Sequence, residues 1–449
     1  MRETLKIQGI PVTEIAERFQ TPMFLYDGDI LKRQFNKVRT AFHPSLEIFY
    51  SLKANPNISI YGLLNSLGAR AEVSSMAELA TAVNAGTPPE NIICVGPGKT
   101  EHELETLIRT GIYAIICESF AEMERIHELA GRLGKTQDIA LRINPAFAVK
   151  GSRLTMGGKP RQFGIDETVA LEQAVAMQAK YPKARIKGIQ IYSGTRILAW
   201  EEVLANTVRI LETAEQYLAK TGLPLEMVDV GGGLGVPYFD DEHDLDIEKL
   251  GQEMTPALAA FNAKHPNTRL IMELGRYLSA ESGMLLSRVQ YVKDSMGETF
   301  AVSDGGTNCH MAAVGVGSFV KRNFPIKNAC DWNGVAEKAY HLTGPLCTPN
   351  DVVGKAVKLA KVEPGDLVAV LVSGAYGPTA SPVNFLSFGF PAEVLVLDGE
   401  AYLIRERDFP IDMLRKQHLL SFSEGQKHSP VPPPYLVPET EKQWRSTYQ

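Results

Sequence analysis

Lys53 follows an apolar stretch of the sequence, at a place where a lysine can do chemistry. Residues Leu46–Leu52 predict a buried strand, because Ile48, Phe49 and Tyr50 are apolar or aromatic and an Asn-Pro-Asn sequence comes soon afterwards. A lysine shielded from water at the end of such a strand loses its proton more easily, and the neutral amine can form a Schiff base with an aldehyde. The alternative is that Lys53 only extends from the strand end into solvent.

Other residues able to bind or react also come at the ends of apolar stretches. Glu72 lies in one stretch near its end, Tyr192 comes at the end of another, and Glu273 and Arg276 follow a third. The glycine run Gly231–Gly235 can bring backbone N–H groups close to a phosphate, since no Cβ blocks the approach. These residues also allow ordinary interpretations: a plain turn for the glycines, core packing for the tyrosine, and a Glu–Arg salt bridge. Their shared position at strand ends favours a common site.

Eight apolar stretches alternate with helical patterns, which predicts the elements that position these residues. The eight predicted strands are Leu46–Leu52, Ala69–Val73, Asn91–Val95, Tyr113–Cys117, Ile139–Ile143, Ile186–Tyr192, Glu226–Val230 and Arg269–Met272. The clearest helical patterns between them are Met76–Ala85, Glu101–Arg109, Phe120–Leu133 and Glu201–Ala219. Eight such units match a (β/α)8 TIM barrel better than a doubly wound sheet. Active sites of these barrels lie at the carboxyl ends of the strands.

The alternation stops after Arg276, and the rest of the chain predicts an all-β domain. Its predicted strands are Val289–Val292, Phe300–Ser303, Lys338–Thr343, Asp366–Ser373 and Glu393–Ile404. We therefore expect an N-terminal segment (1–30) that joins the β domain, a barrel (31–276), the β domain itself (277–422) and a proline-rich tail (423–449). The glycine-containing stretch Met156–Gly164 is predicted to be a loop over the barrel mouth.

The composition, net charge and cysteine spacing indicate which partners and which cellular compartment to expect. The chain has 449 residues, 44% hydrophobic and 22% charged, with a net charge of −6, which argues against nucleic acid or an anionic membrane as partner. Five cysteines without framework spacing do not indicate a disulfide scaffold. No signal core or membrane-spanning stretch is present, so we expect a cytoplasmic protein.

A lysine, a phosphate seat and a carboxylate at one barrel mouth are what pyridoxal 5'-phosphate (PLP) needs. The aldehyde would bond to Lys53, the phosphate would lie at Gly231–Gly235 and Arg276, and Glu273 would keep the ring nitrogen protonated. A dinucleotide fingerprint does not fit, because Val236 stands where its third glycine should be.

Seven motifs resemble one family, in the family's order along about residues 10–410. They are Tyr50-Ser51-Leu52-Lys53-Ala54-Asn55, Glu72-Val73-Ser74-Ser75, Gly96-Pro97-Gly98-Lys99, Gly231-Gly232-Gly233, Glu273-Leu274-Gly275-Arg276, Gly344-Pro345-Leu346-Cys347 and Gly374-Ala375-Tyr376-Gly377. The chain resembles the fold-type III PLP-dependent decarboxylases, which act on diaminopimelate, ornithine or arginine. The resemblance implies a homodimer in which Cys347 completes the neighbouring subunit's site as a proton donor.

The resemblance also implies which residues bind the cofactor. Lys53 and Cys347 would be catalytic, and the expected PLP-binding residues are Lys53, Glu72, Tyr192, Thr195, Gly231, Gly232, Gly233, Gly235, Glu273, Gly275, Arg276 and Tyr376. Candidate substrate contacts are Thr348, Asp351, His310 and Arg161. We expect no metal, since His310 has no second ligand at metal spacing.

Three departures from the family pattern concern the substrate. Tyr192 stands where relatives stack a histidine on the PLP ring, and Thr348 stands where relatives with a distal amine have an acidic residue. Ala312 stands where diaminopimelate decarboxylases have an arginine. A charged distal group would lose its counter-charge, so we expect an amino acid whose distal end is neutral or tethered.

The motifs Met156-Gly157-Gly158 and Ser381-Pro382-Val383 are similar to those of a branch of the family from antibiotic biosynthesis, which acts on a glutamyl group held as a thioester on an acyl carrier protein. Three alternatives stay open: a diaminopimelate decarboxylase, an amino-acid racemase of the same fold, and a non-catalytic regulatory homologue. Racemases of this fold have an arginine where Glu273 stands, and non-catalytic relatives lose cofactor residues that this chain keeps.

Overall fold

The chain folds into two compact units. The computed structural model describes residues 2–146, 154–155, 160, 162–314, 322–420 and 430–431. One unit is Ile30–Ala280, and the other combines Met1–Asp29 with Glu281–Gln449. The predicted tail (423–449) lies outside the described residues, apart from 430–431. Within the described ranges, no helix is both long enough and apolar enough to cross a membrane.

The first unit is a closed barrel of eight parallel strands. From first to eighth the barrel strands are Leu46–Ser51, Arg70–Val73, Ile92–Cys94, Ala114–Cys117, Gln137–Asn144, Ala184–Gln190, Met227–Gly232 and Arg269–Leu274. Each strand pairs in parallel with the next, and the eighth pairs with the first, which closes the barrel. A short strand, Ile165–Asp166, also pairs with the fifth. The predicted (β/α)8 barrel is therefore confirmed.

Helices cover the outside of the barrel, so its strands are buried on both faces. The helices of this unit and its N-terminal junction are Gly28–Ala41, Ile58–Ser66, Met76–Asn84, Glu101–Thr110, Phe120–Arg132, Glu167–Lys180, Trp200–Thr221, Ile247–Lys264 and Arg276–Ser279. The four helices predicted from the sequence are present, each with ends within two residues of the predicted ones. Local sequence sets several starts: Thr100 and Glu103 form a capping box before Glu101–Thr110.

The second unit is built around a sheet that includes the N-terminal strand. The strands of this sheet are Met23–Asp27, Gly283–Ser295, Glu298–Ser303, Ile326–Asn328, Lys338–Thr343, Val352–Leu359, Leu367–Val370, Ala392–Leu397 and Glu400–Arg405. Two short pairs, Lys6–Ile7 with Ile10–Pro11 and Leu419–Leu420 with Pro430–Val431, also belong to this unit, and its helices are Val12–Phe19 and Pro410–Leu414. Met23–Asp27 lies between Gly283–Ser295 (antiparallel) and Ala392–Leu397 (parallel). This confirms that the N-terminal segment joins the β domain.

One predicted strand of this unit is wrong. Glu393–Ile404 was expected to be a single strand, but it forms a hairpin, Ala392–Leu397 with Glu400–Arg405. Asp398 and Gly399 make the turn with φ angles of 52° and 80°. An Asp-Gly pair tolerates two successive positive φ angles, which is what a two-residue hairpin turn requires.

A buried carboxylate links the N-terminal strand to this hairpin. Glu393 is 2% exposed, and its Oε2 accepts a hydrogen bond of 2.7 Å from the Tyr26 hydroxyl. Its Oε1 accepts a bond of 2.5 Å from Nε of Arg405. Because a buried carboxylate needs all its donors, this contact helps hold strand Met23–Asp27 in the sheet.

We predict that Tyr26→Phe lowers the free energy of unfolding by about 1.5–3 kcal/mol, the usual contribution of a hydrogen bond to a charged group. Urea unfolding followed by circular dichroism measures the change. Tyr402→Phe is the matched control, because Tyr402 is 46% exposed and its hydroxyl bonds to the exposed Glu400, so the effect should stay within about 0.5 kcal/mol. Equal effects of the two substitutions would contradict the prediction.

Candidate active site

Lys53 lies two residues beyond the end of the first barrel strand, where the sequence predicts it. It is in the short 3-10 turn Leu52–Ala54, and its Nζ donates a hydrogen bond of 3.0 Å to Oε2 of Glu72 at the end of the second strand. Nζ also lies 5.7 Å from the centroid of the Tyr192 ring. The carboxyl ends of the first, second and sixth strands therefore bring three of the predicted residues together.

The electrostatic setting of Lys53 differs from the expectation. Its side chain is 37% exposed, so it is not shielded from water, and it is paired with a buried carboxylate. Burial acts to raise the pKa of Glu72, but the charge of Lys53 and hydrogen bonds from Ser51, Lys53 and Ser74 outweigh burial and lower the pKa. The predicted desolvation of Lys53 is wrong for this structure. Glu72 instead fixes the position of a charged amine.

Several hydrogen bonds fix the turn that bears Lys53. The Tyr50 hydroxyl donates to the backbone oxygen of Asn55 at 3.0 Å, and the side chain of Asn55 accepts from the backbone N–H of Asn57 at 3.1 Å. Gly275, beyond the eighth strand, packs against the same turn, since a Cβ at this position would lie 2.7 Å from Cβ of Ala54. Lys53 therefore projects from a backbone that is held on both sides.

The glycine run after the seventh strand packs closely against its neighbours. A Cβ at Gly232 would overlap the backbone oxygen of Glu273, and Gly233 has φ of 84° and lies against the backbone of Gly194. The N–H of Gly231 donates to Asp229 at 2.9 Å, and that of Gly235 donates to the backbone oxygen of Ile197 at 2.9 Å. The expected row of consecutive free N–H groups is therefore wrong at these two positions.

Glu273 is buried inside the barrel at the end of the eighth strand. It is 2% exposed, and its Oε1 accepts a hydrogen bond of 3.1 Å from Nε2 of Gln190. Burial and the nearby charge of Glu72 raise the pKa of Glu273, while Lys53 and hydrogen bonds with Asp229 and Gln190 oppose them. Glu273 is therefore a buried carboxyl group that accepts a hydrogen bond from Gln190 and is shielded from water.

Arg276 begins the short helix after Glu273 and is held by an aromatic residue. Its Nη1 donates to the Tyr238 hydroxyl at 2.7 Å, and its guanidinium lies 5.6 Å from that ring's centroid. The guanidinium of Arg196 lies 4.9 Å from the same centroid. Nη2 of Arg196, however, lies 3.3 Å from Oε1 of Glu242, so Arg276 is the better candidate to bind an anion such as a phosphate.

Of the other predicted site residues, Thr195 belongs to the barrel unit, and Tyr376, Cys347 and Thr348 belong to the β unit. Thr195 is half-buried and its backbone pairs with Leu154 in a short two-stranded ladder. Tyr376 belongs to the β unit, is half-buried and has φ of 60°, an unusual angle for a bulky residue. Cys347 also belongs to that unit and is exposed. Thr348 beside it is half-buried.

Asp351 does not have the geometry of a substrate contact. It is 3% exposed, and its Oδ1 accepts from the N–H and hydroxyl of Thr307 at 2.7 and 3.0 Å. Its Oδ2 accepts from the N–H of Leu346 at 2.7 Å. The carboxylate therefore holds the loop that carries Cys347, because both its oxygens are used inside the unit.

His310 is likewise a core residue. It is fully buried, its Nε2 lies 2.8 Å from the Ser373 hydroxyl, and burial lowers its pKa to about 3. Phe24 and Phe324 make edge contacts with its ring. Arg161 lies outside the described residues. Among the residues with described placement, no cluster of histidine, cysteine, aspartate or glutamate could hold a metal.

Gln190 and Asp229 were not predicted as site residues from the sequence. Gln190 lies two residues before Tyr192, and Asp229 lies two residues before the glycine run. Since alternate residues of a strand point the same way, a polar residue two positions before each predicted site residue was the available signal.

Comparison with known proteins agrees with this geometry. The family model described as "Pyridoxal-dependent decarboxylase, pyridoxal binding domain" matches residues 28–280. The chain is 38% identical over 417 residues to the L-glutamyl-[BtrI acyl-carrier protein] decarboxylase of Niallia circulans, covering 92% of this chain and 97% of that protein. It is 32% identical to the diaminopimelate decarboxylase of Aquifex aeolicus, covering 90% and 93%.

The chain is also similar to solved structures of diaminopimelate decarboxylases. The diaminopimelate decarboxylase of M. jannaschii in co-complex with L-lysine has a TM-score of 0.83 at 30% identity, with 93% of this chain and 96% of that chain covered. The enzyme of the same name from Helicobacter pylori complexed with L-lysine has a TM-score of 0.80 at 29% identity, covering 90% and 98%. The chain therefore belongs to the family of pyridoxal-dependent decarboxylases, and it is a PLP-dependent carboxy-lyase.

Proposed function

We propose that this enzyme removes the α-carboxyl group from an amino-acyl substrate whose distal end is neutral or tethered, a glutamyl group on a carrier protein being the first choice. The observation that carries the proposal is the neutral, half-buried Thr348 next to the exposed Cys347. The relative that acts on a glutamyl carrier protein supports it, whereas the similarity to diaminopimelate decarboxylases supports the main alternative.

The residues at the barrel mouth fit PLP. Two buried polar atoms, the Ser193 hydroxyl and Oε1 of Gln190, find no hydrogen-bond partner in the part of the chain that is described. A buried carboxyl group, Glu273, is available for a protonated ring nitrogen. A polar cofactor would satisfy groups that the protein leaves unsatisfied.

Each of these residues has a distinct role in the proposal. Bound PLP supplies an acceptor for the electron pair that is released when the carboxyl group leaves as carbon dioxide. Lys53 would hold the cofactor covalently, and Glu72 would orient the lysine. Arg276, with Tyr238 orienting its guanidinium, would neutralise the phosphate, aided by Tyr376. Tyr192, close to the Lys53 amine, would lie against the cofactor ring.

Glu273 favours decarboxylation over racemisation. A carboxylate beside the ring nitrogen stabilises the protonated form, and a protonated ring withdraws electrons more strongly than a neutral one. An arginine in this position would have the opposite effect. The enclosed position of Glu273 strengthens the interaction, because electrostatic effects grow as water is excluded.

Cys347 would supply the proton that replaces the lost carboxyl group. Its exposed thiol is presented by a loop that Asp351 anchors through Leu346 and Thr307. In our proposal this thiol serves the site of a second subunit, so the active form is a two-fold homodimer. An exposed thiol suits a donor that must reach outside its own unit.

We predict poor activity on meso-diaminopimelate, lysine and ornithine relative to a glutamyl carrier thioester. A missing counter-charge in a desolvated site costs on the order of 2–5 kcal/mol, or roughly 30-fold to several thousand-fold in kcat/KM. Steady-state release of carbon dioxide measures the ratios. Diaminopimelate turnover at a kcat/KM near roughly 10⁴ M⁻¹s⁻¹, a common value for an enzyme's own substrate, would contradict the proposal.

The matched variants are Thr348→Glu and Asn350→Glu. Thr348→Glu should raise kcat/KM for ornithine by about ten-fold or more, since it adds a carboxylate that can pair with a distal ammonium. Asn350→Glu adds the same charge to an exposed position of the same loop and should leave that kcat/KM within about two-fold. Equal gains from both would indicate general electrostatic attraction instead of a substrate contact.

We predict that inactive Lys53→Ala and inactive Cys347→Ala subunits recover activity when mixed. Half of randomly assembled dimers would be heterodimers with one intact site of two, so recovery should approach about a quarter of the wild-type value. Mixing Lys53→Ala with a chain that has both substitutions should recover nothing. If subunit exchange is demonstrated and activity does not return, both residues serve the same chain's site.

A further inference from the structure

Asp229 is a buried carboxyl group that the roles assigned above do not use. It lies in the seventh barrel strand and is 0% exposed. Its Oδ1 accepts the N–H of Gly231 at 2.9 Å. Its Oδ2 is buried and accepts no hydrogen bond from any residue within the described ranges. A carboxylate oxygen left in this state would be costly, so a proton on Oδ2 is the expected solution.

The register of the barrel strands places Asp229 close to Glu273. Asp229 pairs with Ile271 of the eighth strand, and Glu273 is two residues farther along, on the same face. The register shifts between Asp229 and Gly232, and the two carboxyl groups are in hydrogen-bonding contact. Two carboxyl groups can share a hydrogen bond only when one of them is protonated.

The surroundings decide which group holds the proton. Burial, the charge of Glu273 and the hydrogen bond with it raise the pKa of Asp229 well above its ordinary value, and only the N–H of Gly231 opposes this. Glu273 has a donor in Gln190 and feels the positive charge of Lys53. Glu72 is a further negative charge acting on both. The proton is therefore on Asp229, and Glu273 accepts.

We propose that Asp229 is a positioning residue that remains protonated and donates a hydrogen bond from Oδ2 to Glu273. With Gln190 on the other side, it keeps Glu273 oriented and ionised for the ring nitrogen of PLP. No proton is transferred, since the Asp229 proton stays in the hydrogen bond. The inference rests on the proposed role of Glu273 but is independent of which amino acid is decarboxylated.

Two substitutions of similar size separate hydrogen bonding from charge and from packing. In Asp229→Asn, the amide oxygen can accept from Gly231 and the amide nitrogen can donate to Glu273, so both contacts survive. Asp229→Leu fills the space without a donor. We expect the PLP dissociation constant, measured by titrating the cofactor-free protein, to stay within about three-fold of wild type for Asp229→Asn. For Asp229→Leu it should rise by about ten-fold to a hundred-fold, as when one hydrogen bond to a charged group is lost.

Infrared difference spectroscopy of the cofactor-free protein at pH 7 gives a second measurement, which does not depend on PLP. Wild type minus Asp229→Asn should show the carbonyl band of one protonated carboxyl group. The band should also disappear in Glu273→Gln, because the amide group introduced by that substitution could donate to an ionised Asp229. This spectrum remains decisive if Asp229→Leu does not fold.

Two results would overturn the proposal. If Asp229→Asn weakened PLP binding as much as Asp229→Leu does, the negative charge of Asp229 would be needed for binding. A spectrum without the protonated carboxyl band would mean that Asp229 is ionised. Failure of the Glu273 assignment is distinguishable from both: Glu273→Gln would then bind PLP as wild type does, while the Asp229 band would still be present in the wild-type spectrum.

Discussion

Three carboxyl groups and one ammonium group meet inside the barrel, and the balance of their charges constrains the site. Glu72, Asp229 and Glu273 are each at most 2% exposed, and the positive charge of Lys53 acts on Glu72 and Glu273. Three buried negative charges cannot be compensated by one positive charge, since each unpaired charge carries a large desolvation penalty. Lys53 pairs with Glu72, and a proton shared by the other two removes a second charge. One negative charge is left, at the position proposed to face a protonated ring nitrogen.

The barrel provides this concentration of charge because its parallel strands end at one mouth. Apolar strands such as Leu46–Ser51 supply the core, and the polar side chains come at or just after the strand ends. Close backbone packing at Gly232 and Gly275 holds neighbouring strand ends together. The rigid turn around Lys53 then needs no loop closure to define where the amine lies. The same packing of the strand ends therefore holds the barrel together and positions the residues of the site.

The sequence predicted the parts of the site that are visible as local patterns. Lys53 and Glu273 follow apolar stretches of strand length and Glu72 lies near the end of one, so their convergence could be deduced from the rule that barrel sites lie at strand ends. Asp229 and Gln190 were missed because their importance depends on the register between neighbouring strands. Register is a property of paired strands, and a single strand does not reveal it.

Two other expectations failed because the groups concerned form hydrogen bonds within the fold. Asp351 follows the cysteine motif, as a substrate contact could, yet three donors from its own unit occupy it. The glycine run was expected to present free N–H groups, but those of Gly231 and Gly235 are bonded within the barrel. Each case includes a hydrogen-bond partner that is distant in sequence, Thr307 for Asp351 and Ile197 for Gly235, and no local pattern identifies these partners.

The most direct test of the account is to find which lysine holds PLP. Borohydride reduction of the holoenzyme, followed by mass spectrometry of its proteolytic peptides, locates the attached cofactor. We expect the PLP adduct on the peptide that contains Lys53, and no adduct in Lys53→Ala. An adduct on another lysine, for example the buried Lys99 that pairs with Glu122, would contradict it.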